Sequence, residues 1–212
     1  MIHDEVAVPI TIMVVDDHPL LRKGIVELIA TQDDMRVVAE AGGGREAVEQ
    51  YAGHHPDVVL MDIVMPDMDG VDAIVKIRAL YPAAKIIVFT TYSGDCRVMA
   101  AMHAGAAGFM LKNAICDELL QSIRNVHGGA REIQKGIAIE MALHLGSGKL
   151  TPREIQLLRQ VADGLSNKRI ARNLGIAEDT VNQHMKNILS KLNANDRTHA
   201  VTIALKRGVF FL

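Results

Sequence analysis

The chain has 212 residues, room for one large domain or two small ones, and 49% are hydrophobic, so a sizeable core is available. Only 3% are aromatic, which leaves few stacking surfaces for single-stranded nucleic acid, and two cysteines, Cys96 and Cys116, are too few for a disulfide framework and lack metal-ligand spacing. The net charge of −2 conceals a split, −7 from Met1 to Lys149 and +5 from Leu150 to Leu212, so an acidic front and a basic back point to two domains, the second with a polyanionic partner.

Ile10 to Val15 is a β-rich apolar run that ends on Asp16 and Asp17, and Pro19 starts a helix in which Leu21, Ile25, Leu28 and Ile29 recur at helical spacing. Met35 to Ala41 reads as a second strand, broken by Gly42-Gly43-Gly44, a loose run for which the sequence offers no account; a helix through Arg45–Ala52 follows. Asp57–Asp62 is a third strand, and its helix, Val71–Leu80, stops at Tyr81-Pro82. Lys85–Thr90 and Gly108–Lys112 are the fourth and fifth strands, with helices over Asp95–Ala104 and Ala114–Val126. Alternating strands and helices predict an α/β fold, a doubly wound five-stranded parallel sheet with right-handed crossovers, over residues 1–128.

Residues 129–149 read as a linker, with a helix near Gly136–Leu145 and a flexible GSGK joint. GSGK lacks the first glycine and the spacing of a phosphate-binding loop. Residues 150–212 carry no strand pattern and form a small all-α domain of four helices. Thr151-Pro152-Arg153-Glu154 is a capping box with Pro at the first helical position, and Gly164 closes that helix. Ser166 caps a short helix, NKRIARNL, which Gly175 ends; EDTVNQHMKNILSKL then begins, and a last helix spans about Asp196–Arg207. Two helices joined by a tight glycine-containing turn make a helix-turn-helix.

Four strands of the front domain deliver a polar residue at the same end: Asp16 and Asp17, Asp62, Thr90, and Lys112. The carboxyl end of an open α/β sheet is where such a fold places its site. Converging carboxylates repel one another and need a cation; oxygen-only donors suit Mg2+, which bridges readily to phosphate. A divalent ion, a carboxylate nucleophile, a hydroxyl and an ammonium together suit phosphoryl transfer to Asp62, with the metal and Lys112 neutralising the equatorial oxygens.

DDHP, VLMDIVMPDMDG, FTTY and GFMLK resemble the receiver domain of two-component response regulators over residues 10–128, a flavodoxin-like fold. The resemblance implies Asp62 as phospho-acceptor and Asp17, Asp62 and the Val64 carbonyl as direct metal ligands, with Asp16 acting through water. It also implies that Thr90 and Lys112 hold the phosphoryl oxygens and that Phe109 is an aromatic switch coupled to Thr90. Two departures stand out. Asn113, not proline, follows Lys112. Val64 and Tyr92, two residues after Asp62 and Thr90, are not groups that orient a hydrolytic water, so a long-lived phosphoryl group is expected.

In the segment from Glu178 to Leu192, Val181, Met185, Ile188 and Leu192 share one face, a core face. The opposite side shows Asn182, Gln183, Lys186, Asn187 and Ser190, types suited to base edges and phosphates in a major groove, and the preceding helix adds Lys168, Arg169 and Arg172. This stretch closely resembles the LuxR-type helix-turn-helix, and the whole chain a NarL/FixJ-type response regulator. That likeness implies double-stranded DNA as partner, with Thr180, Asn182, Gln183 and Lys186 joining Lys168 and Arg169 at the duplex, and a dimer contact through the last helix. Ala177 replaces the common serine cap before the recognition helix, and Asn182 replaces a common lysine.

The implied activity is transcription control switched by a sensor histidine kinase, in a homodimer that is not itself an enzyme. No apolar stretch reaches the length of about 18 residues that a membrane span requires, and no basic leader precedes the first strand, so a cytoplasmic protein is expected. Two other readings compete. A phosphatase with an aspartyl-phosphate intermediate would need a second acid where Val64 stands, and a constitutive DNA-binding protein would not need the intact acid, hydroxyl and lysine set.

Overall fold

The structure, a computed structural model, describes residues 8–91, 95–113, 116–134, 138 and 149–210. The chain divides into two compact units, each with its own hydrophobic core.

In the first unit, β1 (Ile10–Val15), β2 (Met35–Ala41), β3 (Val58–Met61), β4 (Ile86–Thr90), β5 (Gly108–Leu111) and β6 (Glu132–Ile133) form a parallel sheet in the order β2-β1-β3-β4-β5-β6. The helices between them are α1 (Pro19–Ala30), α2 (Gly44–His54), α3 (Gly70–Leu80), α4 (Asp95–His103) and α5 (Cys116–His127). The apolar runs are continuous because both sheet faces are covered. Ile12, Val14, Val58, Leu60 and Ile87 pack with Ile25 and Ile29 of α1 and Leu119, Ile123 and Val126 of α5. The alternate residues Met13, Val59 and Met61 point the other way and are equally buried.

The expected five-stranded sheet is corrected to six strands. β6 pairs parallel with β5, Gly108 opposite Glu132 and Phe109 opposite Ile133. It spans two residues, too short for any alternation to show, and Gly108 lets it approach: a Cβ there would lie 3.1 Å from the Glu132 carbonyl oxygen. β6 falls inside the stretch read as linker, while the helix expected near Gly136–Leu145 lies outside the described residues, the isolated residue 138 excepted. No cis peptide occurs among the described residues, so the chain passes from Lys112 to Asn113 in trans.

The second unit holds α6 (Pro152–Ala162), α7 (Asn167–Leu174), α8 (Glu178–Leu192) and α9 (Arg197–Lys206). The capping box forms as read: Thr151 Oγ1 accepts from the Glu154 amide at 3.3 Å, and the Thr151 amide donates to Glu154 Oε2 at 2.7 Å. Ser166 occupies the cap position of α7, but its side chain makes no capping bond. Gly164 and Gly175 end α6 and α7 with positive φ, which glycine adopts without steric cost. Ala177 starts α8 without a side-chain acceptor, a loss of about 1 kcal/mol relative to serine. Leu157, Leu158, Ile170, Val181, Met185, Ile188, Leu192, Ala200 and Phe210 form the core.

Candidate functional site

β1 and β3 are neighbours, with β2 beyond β1, so the strand order reverses between them; an open α/β sheet binds at this switch point. Asp62 leaves β3 beside β1, its amide donating to the Val15 carbonyl at 2.9 Å, and the Asp16 amide donates to Ala41 at 3.1 Å. Both carboxylates are buried, Asp16 1% and Asp62 3% exposed. Lys112, whose amide donates to the Thr90 carbonyl at 2.8 Å, brings its ammonium between them, 2.7 Å from Asp16 Oδ2 and 2.6 Å from Asp62 Oδ2. Burial works against that ammonium, but hydrogen bonds to Asp16 and Asp62 outweigh it and hold the Lys112 pKa above the ordinary lysine range.

The remaining oxygens are arranged unequally. Asp62 Oδ1 accepts from the Ile63 amide at 2.6 Å and the Val64 amide at 3.4 Å, and Asp16 Oδ1 accepts from the His18 amide at 2.8 Å. Asp17 Oδ1 is buried with no hydrogen bond; His18 Nδ1 lies 2.7 Å away but lacks hydrogen-bond geometry. Donor atoms of Asp16, Asp17, His18 and Asp62 all lie within 4.8 Å of one another. A buried oxygen that accepts no hydrogen bond, among carboxylates that one lysine does not fully neutralise, fits a small hard cation. The sequence-predicted Asp16, Asp17, Asp62 and Lys112 are thus brought together. Val64 sits two residues into the loop after Asp62; Thr90 at the end of β4 and Phe109 on β5 are fully buried. Tyr92 lies outside the described residues.

Sequence reasoning missed what braces this site. Asp67, in the loop after Asp62, reaches across to α2 and accepts from the amides of Gly44 at 3.0 Å and Arg45 at 3.1 Å. The Arg45 amide, ahead of the smaller effects of burial against it and of the Met68 and Gly44 amides with it, holds the Asp67 carboxyl below the usual range. Here the glycine run finds its explanation. A Cβ on Gly43 would collide with the Asp67 carboxylate, and one on Gly44 would lie 2.5 Å from the Met68 carbonyl oxygen. At the loop's other end a Cβ on Gly70 would collide with the Asp62 carbonyl oxygen, and the Gly70 amide donates to Ile63 at 2.8 Å. Arg22 adds a tie from α1, donating to the Asp16 carbonyl at 2.6 Å and to Glu40 at 3.2 Å.

In the second unit, Val181, Met185, Ile188 and Leu192 are buried, and Thr180, Asn182, Gln183 and Lys186 are exposed on α8, as are Lys168, Arg169 and Arg172 on α7. Asn167 Nδ2 donates to Asn182 Oδ1 at 2.8 Å, and Gln183 Nε2 to Asn187 Oδ1 at 3.2 Å.

Residues 12–124 match the response regulator receiver domain family, and residues 148–204 the luxR family of bacterial regulatory proteins. Among relatives, the chain is 41% identical over 204 residues to the uncharacterized transcriptional regulatory protein YhcZ of Bacillus subtilis (strain 168), covering 92% of this chain and 95% of that one. It is 33% identical over 211 residues to the nitrate/nitrite response regulator NarL of Escherichia coli (strain K12), covering 95% and 98%. In fold it resembles RcsB from Salmonella enterica serovar Typhimurium, bound there to promoter rprA in the presence of phosphomimetic BeF3−, with a TM-score of 0.69, 22% identity and coverage of 93% and 98%. The chain belongs to the NarL/FixJ-type two-component response regulators, a receiver domain joined to a LuxR-type DNA-binding domain. The family is one of transcription regulators and not of enzymes, which sets the phosphatase reading aside. Among the described residues, no helix is long and apolar enough to cross a membrane.

Proposed function

We propose that this cytoplasmic regulator takes a phosphoryl group from a sensor histidine kinase onto Asp62, then dimerises and binds two-fold promoter DNA. Residues 1–128 act as receiver, 129–149 as linker and 150–212 as DNA-binding domain. The observation that carries the reading is the Lys112 ammonium held between Asp16 and Asp62, beside an Asp17 oxygen that accepts no hydrogen bond.

Asp17, Asp62 and the Val64 carbonyl would hold Mg2+ directly, and Asp16 would act through water. When bound, the ion neutralises charge on the transferring phosphoryl group. An Asp62 carboxylate oxygen attacks phosphorus in line; the new O–P bond forms as the bond to the donor nitrogen breaks, and the donor leaves with the electron pair. Lys112 exchanges part of its pairing with Asp62 for a phosphoryl oxygen, and the Thr90 hydroxyl moves toward another. Phe109 already has 0% exposure, so the switch is a repacking of the ring as Thr90 moves, not a swing from solvent into the core. The sheet edge and helices around Phe109 then present a changed surface for dimerisation. Lys168 and Arg169 approach the phosphate backbone, while Thr180, Asn182, Gln183 and Lys186 on α8 approach the major groove. Paired recognition helices supply avidity that one lacks.

The test is intact-mass and peptide-mapping spectrometry after incubation with a small-molecule phosphodonor and Mg2+. One phosphoryl addition, mapped to Asp62 and absent from Asp62→Asn, is expected; addition elsewhere or none contradicts the assignment.

A further inference from the structure

We infer that Asn167 sets which way the Asn182 side-chain amide faces, and thereby which base edges that residue reads. The inference rests on the proposal that α8 enters the major groove.

An asparagine amide has two unlike ends, an acceptor oxygen and an NH2 with two donors. With both ends available it pairs with adenine bidentately, accepting from N6 and donating to N7. Asn182 does not have both ends equally available. Asn167, the first residue of α7, donates from Nδ2 to Asn182 Oδ1 at 2.8 Å, across the turn between the helices. Asn182 is exposed, and its amide nitrogen makes no hydrogen bond among the described residues. One acceptor site of the oxygen is thus occupied by the protein and its direction fixed, while both NH2 hydrogens are left for the ligand.

The direction of the pair follows from its surroundings. Asn167 Oδ1 is enclosed with no hydrogen-bond partner. Turning Asn167 over would enclose its NH2 there instead, burying two donors in place of one acceptor and taking the donor away from Asn182. The observed arrangement leaves the smaller unmet demand. The contact also binds the two helices of the helix-turn-helix to each other at the reading residue, whereas the Gln183 to Asn187 bond lies within α8 alone.

Asn182 therefore acts as a donor: it favours guanine, whose O6 and N7 both accept, over the cytosine N4 donor, with thymine O4 and adenine N7 offering one acceptor each. Asn167 is a positioning residue that touches no base in this scheme. The Asn167→Asp substitution leaves an acceptor-only side chain at the same place, which recruits the Asn182 NH2 and turns its oxygen outward, toward adenine N6 or cytosine N4.

The test uses the full chain, treated with a small-molecule phosphodonor and Mg2+, in selection from randomised duplexes followed by affinities for single-base variants. The parent is expected to prefer an acceptor edge about tenfold at one position of each half-site. Asn182→Ala should flatten that position, whereas Asn167→Ala, which frees both ends of the Asn182 amide, should move its preference toward adenine; the double alanine variant should be as flat as Asn182→Ala alone. Asn167→Asp should shift the preference toward adenine or cytosine there, whatever its effect on total affinity. Far-UV circular dichroism and melting confirm that each variant is folded. If the Asn182-dependent position keeps its preference in both Asn167 variants, or Asn167→Ala still alters it in the double alanine variant, the inference is overturned while the DNA-reading role of α8 stands. If the parent shows no sequence preference, or Asn182→Ala leaves every position unchanged, the assignment of Asn182 as a reader fails and the inference with it.

Discussion

Lys191 near the end of α8 places its ammonium 2.9 and 2.7 Å from the two carboxylate oxygens of Glu154, the buried acid that completes the capping box of α6. One side chain thus starts the first helix of the DNA-binding unit and anchors the far end of its recognition helix. Burial pushes the Glu154 pKa up, but Lys191 and the Thr151 groups more than offset this and hold it below the ordinary glutamate value of 4.5. A carboxylate with a depressed folded pKa contributes stability that is fully present above its unfolded value and lost as pH falls through the folded one. Glu154→Gln should therefore melt earlier than the parent at neutral pH, and the gap should close as the pH is taken from above 4.5 to below the depressed value. Lys191→Met, which leaves the buried acid without its cation, should cost about 2 kcal/mol at neutral pH. Melting of the helical unit against pH checks both; a gap independent of pH would contradict the pairing.

The glycines of α2 should behave oppositely. Gly44→Ala drives a Cβ toward the Met68 carbonyl oxygen, displacing the loop that Asp67 ties to the α2 N-terminus. Gly53 lies in the same helix with nothing within 4 Å of its missing Cβ, so Gly53→Ala should stabilise by about 0.5–1 kcal/mol. Denaturant unfolding of the two variants gives the sign directly. Equal effects would mean that the Asp67 clamp is not under load.

These glycines mark where the sequence stopped being legible. The strands, the acids at their ends and the buried face of α8 were readable because each is a local pattern, a run or a period. Asp67 capping a helix some twenty residues earlier, Arg22 bracing the Asp16 carbonyl, and Lys191 meeting Glu154 are contacts between distant elements that no local pattern encodes. β6 was missed for a related reason: its two residues become a strand only because β5 offers an edge and Gly108 admits it. Ser166 shows the converse, a residue of the right type at the cap position whose hydroxyl goes unused there.

The proposed phosphorylation of Asp62 gives the loop after it a role in the lifetime of the phosphoryl group. Val64 offers no polar side chain to orient an attacking water, and Tyr92 is bulky. Replacing both, Val64→Asn with Tyr92→Glu, should speed dephosphorylation. The decay of phosphoprotein after removal of the donor measures it, and an unchanged rate would refute the role of these two positions.

On α8, Gln183 and Lys186 should separate base reading from phosphate attraction. Gln183→Ala should relax sequence choice, whereas Lys186→Ala should lower affinity for all duplexes alike and reduce the salt slope by about 1. Titrations against matched and mismatched duplexes at several salt concentrations distinguish them. Uniform loss in both variants would show that Gln183 is not a reader.

Charge added at Asp62 is proposed to govern what the helical unit grips. The most direct measurement is promoter-duplex affinity of the full chain with and without a small-molecule phosphodonor and Mg2+, in the parent and in Asp62→Ala. Tighter binding on phosphodonor treatment is expected in the parent, and no response in the variant. Equal affinity in all four samples, or a response that survives loss of the Asp62 carboxylate, would contradict it.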